Sequence, residues 1–320
     1  MFRHILYKLL RWIPSVLVVI LVVYALLFFG AGDPIRLMFL RMPGDVAWNP
    51  ERIAAMRHEL GLDRTFLAQF TEYIWNLLHG NLGNSLLYQR SVNDMVKVAA
   101  PVSIQLALAA MVIMAILGIP LGVVAAVYKN SWVDHLIEGT ALAFWAIPTY
   151  VAGPLLVIFL VRGLKLMSVP YGWEGLFSPK AIIPLIVLSL RPIAIIIRQS
   201  RSAVLEVMGE DYIRTARAKG ISNYLVMSRH ILRPVLTPIV TSLGLVIANM
   251  IQGNILLEVV FGIPGLGRLV AVSTIDADYP VVLAVVLIGS FLVMGTNLAV
   301  DILYPILDPR VRQTQVGGES

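Results

Sequence analysis

The chain has 320 residues, 58% of them hydrophobic and 14% charged, with a mean hydropathy of +0.82. That composition places it among polytopic membrane proteins and takes it out of the soluble classes. The formal charge of +6 is what Lys- and Arg-rich inner loops produce, so it does not point to nucleic acid, and a chain without cysteine has no disulfide, iron–sulfur cluster or thiolate metal site.

Arg3, Lys8 and Arg11 precede an apolar run from Trp12 to Phe29. The run exceeds the roughly 7–15-residue core of a cleaved signal peptide, so it reads as a retained first span with the N-terminus inside. Residues 30–97 are hydrophilic and balanced, with seven basic and seven acidic residues. Asn49, Pro50 and Glu51 open a helix as cap, first-turn proline and acid, with Ile53, Met56 and Leu60 on one face and Gly61 at the end. Asp63 is the expected cap of a second helix carrying Phe66, Leu67, Phe70, Ile74, Leu77 and Leu78, closed by Gly80 and Gly83. Two amphipathic helices after an outward-going span belong on the extracytoplasmic surface or against the bundle.

Further spans are expected at about Val102–Tyr128, Leu136–Val161, Ala181–Ile197, Val235–Val259 and Pro280–Ile306, the third broken by Pro148, Gly153 and Pro154. Each is near the roughly 20 residues a bilayer core needs. Six spans put both termini in the cytoplasm. The short outer loops hold few bases, Arg162 and Lys165 in one and Arg268 in the other, while a long loop such as 30–97 crosses with weak regard to charge. The segment 198–234 holds seven, which makes it cytoplasmic.

That segment also has internal order. Asp211 suits a helix N-cap, residues 212–219 read as a short helix, and Gly220 takes the left-handed position that ends it. Ser222 caps the next helix, and Pro234 fits the start of the one after. Ala216 and Ala218 permit close approach. A helix of about eight residues is unstable alone, so it must dock on its own protein or on a partner.

No GxxxxGK[ST], HExxH or GxSxG pattern occurs, and the five histidines have no ligand spacing. The chain is therefore not expected to bind ATP itself, to use a cofactor or metal, or to act as an enzyme. The polar residues within spans are Arg191, Asn249, Gln252, Asn254, Glu258, Asn297 and Asp301. Charges at bilayer depth must face protein or water. These residues line a solute path or join helices, and Arg191 is expected to pair with Glu258 or Asp301. Pro264, Gly265 and Gly267 make either a tight outer turn or a gate.

The stretch DYIRTARAKG from Asp211 to Gly220, followed by Arg229, His230 and Pro234, resembles the cytoplasmic loop of ABC importer permeases of the dipeptide/oligopeptide (DppB/OppB-like) branch. Glu206 and Val207, Gly32-Asp33-Pro34, Leu60 to Asp63 and Phe261 to Leu269 also fit that branch, so the resemblance covers nearly the whole chain. The general loop pattern is EAA, three residues, Gly, nine residues, then I-x-L-P. Here Arg214, Thr215 and Ala216 stand in place of EAA, and Ile231 to Pro234 end the pattern about one residue late.

The resemblance implies an all-α polytopic membrane protein with six transmembrane helices in the type I ABC importer permease fold. It has an extracytoplasmic helical insertion between helices 1 and 2. The expected segments are residues 1–29, 30–97, a permease core at 98–310 and a tail at 311–320. Asp211, Tyr212, Arg214, Thr215, Ala216, Arg217, Ala218, Lys219 and Gly220 would form the helix coupled to a cytoplasmic P-loop ATPase. Asn249, Gln252, Asn254, Glu258 and Arg191 are the candidate pathway. A second homologous permease subunit, an extracytoplasmic substrate-binding protein, a peptide substrate and membrane lipid complete the expected partners, in a prokaryotic inner membrane. Permeases for nickel, glutathione or oligosaccharides share the branch. A structural or sensory membrane protein is the alternative outside transport.

Overall fold

In hydrocarbon each backbone N–H and C=O must be satisfied within the protein, which leaves helices as the natural fate of the apolar runs. The computed structural model describes residues 2–30, 32–40 and 50–307. Asn49 and the tail at 311–320 lie outside them. Among the described residues the chain is helical apart from loops and an isolated bridge between Asn84 and Ser91.

In chain order the helices are α1 (Phe2–Gly30), α2 (Pro34–Leu40), α3 (Pro50–Glu59), α4 (Phe66–Leu78), α5 (Val92–Val127), α6 (Trp132–Ala146) and α7 (Thr149–Val157). They continue with α8 (Pro179–Met208), α9 (Asp211–Ala218), α10 (Asn223–Leu225), α11 (Leu232–Ile251), α12 (Ile255–Val260), α13 (Leu266–Ile275) and α14 (Tyr279–Leu307). A π-helical turn extends α7 over Ile158–Gly163, and another joins α10 to α11 over Val226–Ile231. Among the described residues five stretches are long and apolar enough to cross a membrane, and the bent pair α6–α7 makes a sixth if it counts as one span.

Several boundaries differ from the expected ones. α5 begins at Val92, ten residues before the expected start, because Pro101 lies within the helix instead of opening it. The third span is broken at Pro148, as expected: α6 and α7 meet at 100°. Ile147, ahead of Pro148, is extended at φ −78° and ψ 119°, as a residue before proline tends to be. The fourth span does not stop at Ile197. Nothing breaks the helix before Gly209, and the buried stripe continues through Ser200, Ala203 and Val204. The fifth span ends at Ile251, because Gly253 adopts φ +96° and the Asn254 side chain accepts the Leu257 N–H at 3.1 Å to start α12 afresh. α4 starts after Thr65, not Asp63. Asp63 instead accepts a hydrogen bond from His58 Nδ1 at 2.7 Å, which holds its carboxyl below the ordinary range.

The chain divides into two compact units, one of residues 1–103 with 264–291, the other of 104–263 with 292–320. In the first, α4 packs on α1 through edge and tilted contacts of Tyr24 and Phe28 with Phe66, Phe70 and Tyr73. Asp278, 1% exposed, accepts the Ser85 hydroxyl and the Leu86 N–H at 3.0 Å. Tyr279 donates to the Gly32 carbonyl at 2.9 Å. The Asp278 bonds tie the segment between α4 and α5, and the Tyr279 bond the turn between α1 and α2, to the start of α14.

In the second unit α8 is the central element, with α5, α6, α7 and α11 against it. Gly118 and Gly122 of α5 face its backbone: a Cβ on Gly122 would lie 2.5 Å from the Ile197 carbonyl oxygen. Small residues four apart let membrane helices approach in this way. Asp134, 2% exposed at the start of α6, accepts both Nε and Nη2 of Arg201 at 2.7 Å, so α8 is also clamped to α6. At the other end Gly172 N–H donates to the Phe261 carbonyl at 2.8 Å, and Gly262 sits at φ +65° beneath the Tyr171 ring.

Gly262→Ala is expected to destabilise the protein, because L residues pay about 1–2 kcal/mol in the left-handed region and the new methyl meets Tyr171. Thermal unfolding in detergent checks this. In a Tyr171→Ala background the loss should shrink but not vanish, since the backbone term remains.

Candidate functional site

α9 is too short to persist alone, so its placement depends on what it buries. Its helical pattern puts Ile213 (0% exposed) and Ala216 (6%) on one face, in a cluster with Val204, Val226, Ile231, Val235 and Ile239. The opposite face is exposed and carries Asp211, Tyr212, Arg214, Thr215, Arg217, Ala218 and Lys219. Of the nine residues the sequence nominates here, Ala216 thus contacts the protein's own core.

The N-cap is Glu210, one residue earlier than expected, and Asp211 occupies the first turn, where its charge favours the helix dipole. Arg214 Nη1 lies 3.3 Å from Asp211 Oδ1, and the Thr215 hydroxyl donates to the Asp211 carbonyl at 3.0 Å. Gly220 ends the turn at φ +75°, with its N–H on the Arg217 carbonyl at 2.9 Å, and nothing lies within 4 Å of where its Cβ would be. Ser222 accepts the Leu225 N–H at 3.5 Å, as its expected cap role requires. The result is an exposed helix with three cations and a phenol, fixed from beneath by α8, α11 and the π-helical turn.

The polar residues of the spans are not gathered at one point. Asn249 is exposed and donates to the Leu245 carbonyl of its own helix at 2.8 Å, Gln252 is exposed at the end of α11, and Asn254 caps α12. Glu258 is buried, 1% exposed. Arg191 is exposed, and its guanidinium lies 5.7 Å from the centroid of Trp145. It pairs with neither Glu258 nor Asp301, contrary to expectation, because it points toward α6, where the indole offers a cation–π partner.

Gly265, φ −98°, precedes α13 and Gly267 is buried in its first turn, while Pro264 is exposed. The Ser103 hydroxyl accepts the Leu266 N–H at 2.8 Å. The expected turn is therefore the start of a ten-residue helix.

Two features escaped the reading of the sequence. The Gly118–Gly122 pair was visible as GIPLG, a small-xxx-small spacing. Asp134 was visible as the fourth residue of a Ser-x-x-Asp cap beginning at Ser131, whose hydroxyl accepts the Asp134 N–H at 3.4 Å. No local signal pairs it with Arg201, 67 residues away. Beside this pair lies a groove of about 440 Å³ lined by Glu138, Trp145, Ile195, Arg198, Gln199, Arg201 and Ser202.

Two family descriptions match the chain. Residues 118–313 match the binding-protein-dependent transport system inner membrane component, and residues 1–107 match the N-terminal part of such membrane components. A protein of Brucella abortus named as a peptide transport system permease is 38% identical, over 96% of this chain and 98% of its own length. The dipeptide transport system permease protein DppB of Escherichia coli is 35% identical, over 98% and 99%. The oligopeptide transport system permease protein OppB of Salmonella typhimurium is 33% identical, over 98% and 100%. Among solved structures, an inward-facing MetNI methionine ABC transporter chain aligns with a TM-score of 0.53 at 17% identity, over 67% of this chain and 96% of that one, a likeness of fold.

Proposed function

Since this chain belongs to the family of binding-protein-dependent transport system inner membrane components, we propose that it is the permease subunit of an ATP-driven importer of di- or oligopeptides. The observation that carries the mechanism is α9, an exposed eight-residue helix anchored through Ile213 and Ala216 to the core that also holds α8 and α11. A force applied to its outer face reaches two membrane helices directly. Separate P-loop ATPase subunits would seat that face in a groove, and their closure on ATP would move α9 together with the inner ends of α8 and α11. Rigid displacement of packed helices is the physical content of alternating access.

The remaining roles belong to the same proposal. The segment 198–234 and both termini face the cytoplasm, and residues 30–97 lie outside, where α3 and α4 offer a surface to the substrate-binding protein. A second, homologous permease completes the path. The protein itself carries out no hydrolysis. The segments 1–29, 30–97 and 98–310 then serve as first span, outer contact surface and transport core. Asn249, Gln252, Glu258 and Arg191 remain the residues proposed for the path, while Asn254 primarily caps α12.

Ala218→Trp tests the coupling role. Ala218 is exposed on the outer face of α9, so the indole can project away from the core that holds Ile213 and Ala216. Expression and membrane insertion should match the unmodified protein, and binding-protein-dependent uptake should fall at least about tenfold through lost ATPase docking. Gly220→Leu should act in the same direction: nothing lies within 4 Å of its Cβ position, but a leucine pays about 1–2 kcal/mol in the left-handed backbone at φ +75°, so the exit of α9 is disturbed. Full uptake in both variants contradicts the assignment of α9.

A further inference from the structure

α4 has three sides, and the chain itself occupies one of them. Phe66, Phe70 and Tyr73 meet Tyr24 and Phe28 of α1. Gln69, Glu72 and Asn76 form a polar side that lines a cleft of about 820 Å³. There Arg64 donates to Glu72 at 2.7 Å, and the Gln69 amide donates to the Arg64 carbonyl at 2.9 Å. The third side carries Leu67, Thr71, Trp75 and Leu78, which fall within roughly 80° of arc at about 100° per residue. Leu67, Trp75 and Leu78 are 69%, 65% and 75% exposed. A single exposed apolar side chain is ordinary, but three in one stripe with no charge among them mark a contact surface.

The stripe continues a surface that faces lipid. α1 is a long apolar span of which little is buried within the chain, and its exposed Val18, Val22 and Leu26 belong in hydrocarbon. At the end of α1 where α4 packs, the exposed Phe29 stacks on Phe66 with ring centroids 5.3 Å apart, and Leu67 follows directly. Thr71, the hydroxyl on the stripe, needs no water: it donates to the Leu67 carbonyl at 2.8 Å and lies 3.0 Å from the Ala68 carbonyl. Trp75 is a residue type concentrated where acyl chains meet headgroups. His79, with Nδ1 2.8 Å from the Trp75 carbonyl, adds a polar group at the end of the stripe.

We infer that α4 lies in the lipid–water boundary, with Leu67, Trp75 and Leu78 entering the acyl region and Gln69, Glu72 and Asn76 on the aqueous side. An amphipathic helix with this division of faces binds a membrane surface through its apolar area. A protein on the stripe would have to stop where the lipid face of α1 begins, whereas lipid covers both without a seam. Held by α1 on one side and by lipid on another, α4 fixes residues 30–97 at the end of the span and leaves its polar side to the substrate-binding protein. The inference needs only that α1 crosses the membrane, and it is independent of the substrate and of α9.

The chain has no cysteine, so single cysteines at Leu67, Leu78, Glu72 and Val22 can each carry an environment-sensitive fluorophore. The full chain, with the subunits that accompany it, is reconstituted in liposomes, and the signal of the unsubstituted chain is subtracted. Quenching is read with lipids brominated near the headgroup end of the acyl chains and with aqueous iodide, Val22 on α1 serving as the lipid reference. The Leu67 and Leu78 labels should respond to brominated lipid at least about threefold more, and to iodide at least about threefold less, than the Glu72 label. Iodide reaching all three labels of α4 alike would show the helix standing clear of the bilayer and overturn the inference. Shielding of Leu67 and Leu78 from both quenchers would place a protein on the stripe and also overturn it. Brominated lipid quenching Glu72 as strongly as Leu67 would contradict the orientation proposed for the helix.

Discussion

Gly122→Leu should reduce the detergent-extracted, monodisperse protein to less than about a tenth of its normal yield. A Cβ at this position would lie 2.5 Å from the Ile197 carbonyl oxygen, 2.6 Å from Ser200 Cβ and 3.1 Å from the Arg201 backbone nitrogen. These atoms belong to or sit directly on the backbone of α8, so no side-chain rotation relieves the clash. Four residues earlier, a Cβ on Gly118 would lie 2.9 Å from Ile196 Cβ. Opening this seam removes contacts from the cluster of Met114, Ile193, Ala194, Ile196 and Ile197. Overpacking a core commonly costs about 1–3 kcal/mol, and separating two helix backbones places this variant at or beyond the upper end. Gly139→Leu is the control. Gly139 is exposed on α6 with nothing within 4 Å of its Cβ position, so the same substitution there should leave the yield unchanged or raised.

Asp134→Ala should cost about 3 kcal/mol, the usual result of leaving one member of a buried ion pair without its partner. The aspartate is 2% exposed and Arg201 24%. Asp134 also accepts the Asn130 N–H at 2.9 Å, so its removal strands a backbone donor as well. The double variant Asp134→Leu with Arg201→Met should recover much of the loss, because apolar residues of similar size often replace a buried pair at little net cost. Thermal unfolding of the purified protein measures both. An Asp134→Ala protein as stable as the parent would mean that the clamp between α6 and α8 does not hold the unit together.

The two variants bear on the same helix through different neighbours. α8 runs past the expected end of its span to Met208, held by α5 at Gly122 and by α6 at Asp134, and it delivers the chain to α9. Its residues 198–208 look like loop in the sequence because they are polar. They are helical because no Gly or Pro intervenes before Gly209 and because Ser200, Ala203 and Val204 continue the buried stripe. Charge reports which side of a membrane a segment occupies, and the stripe reports whether it is helix, so reading one for the other shortened α8.

The short helix, its glycine exit and its serine cap were legible because each rests on local chemistry: Asp211 in the first turn, Gly220 at φ +75°, Ser222 accepting Leu225 N–H. Long-range pairing was not. Arg201 belongs to the cationic loop by count, yet its guanidinium is committed to Asp134, and Arg191 found an indole instead of the acids named for it. α13 was missed for a different reason. The glycines before it signal a turn, but the Ser103 hydroxyl that receives its first N–H lies 163 residues away.

The most direct measurement is to solubilise the chain from its native membrane, purify it gently and identify what comes with it. The account predicts a P-loop ATPase, a second permease of the same family and a peptide-type binding protein, with the ATPase lost in Ala218→Trp. Recovery of the chain by itself, under conditions that keep a known transporter complex intact, would contradict it.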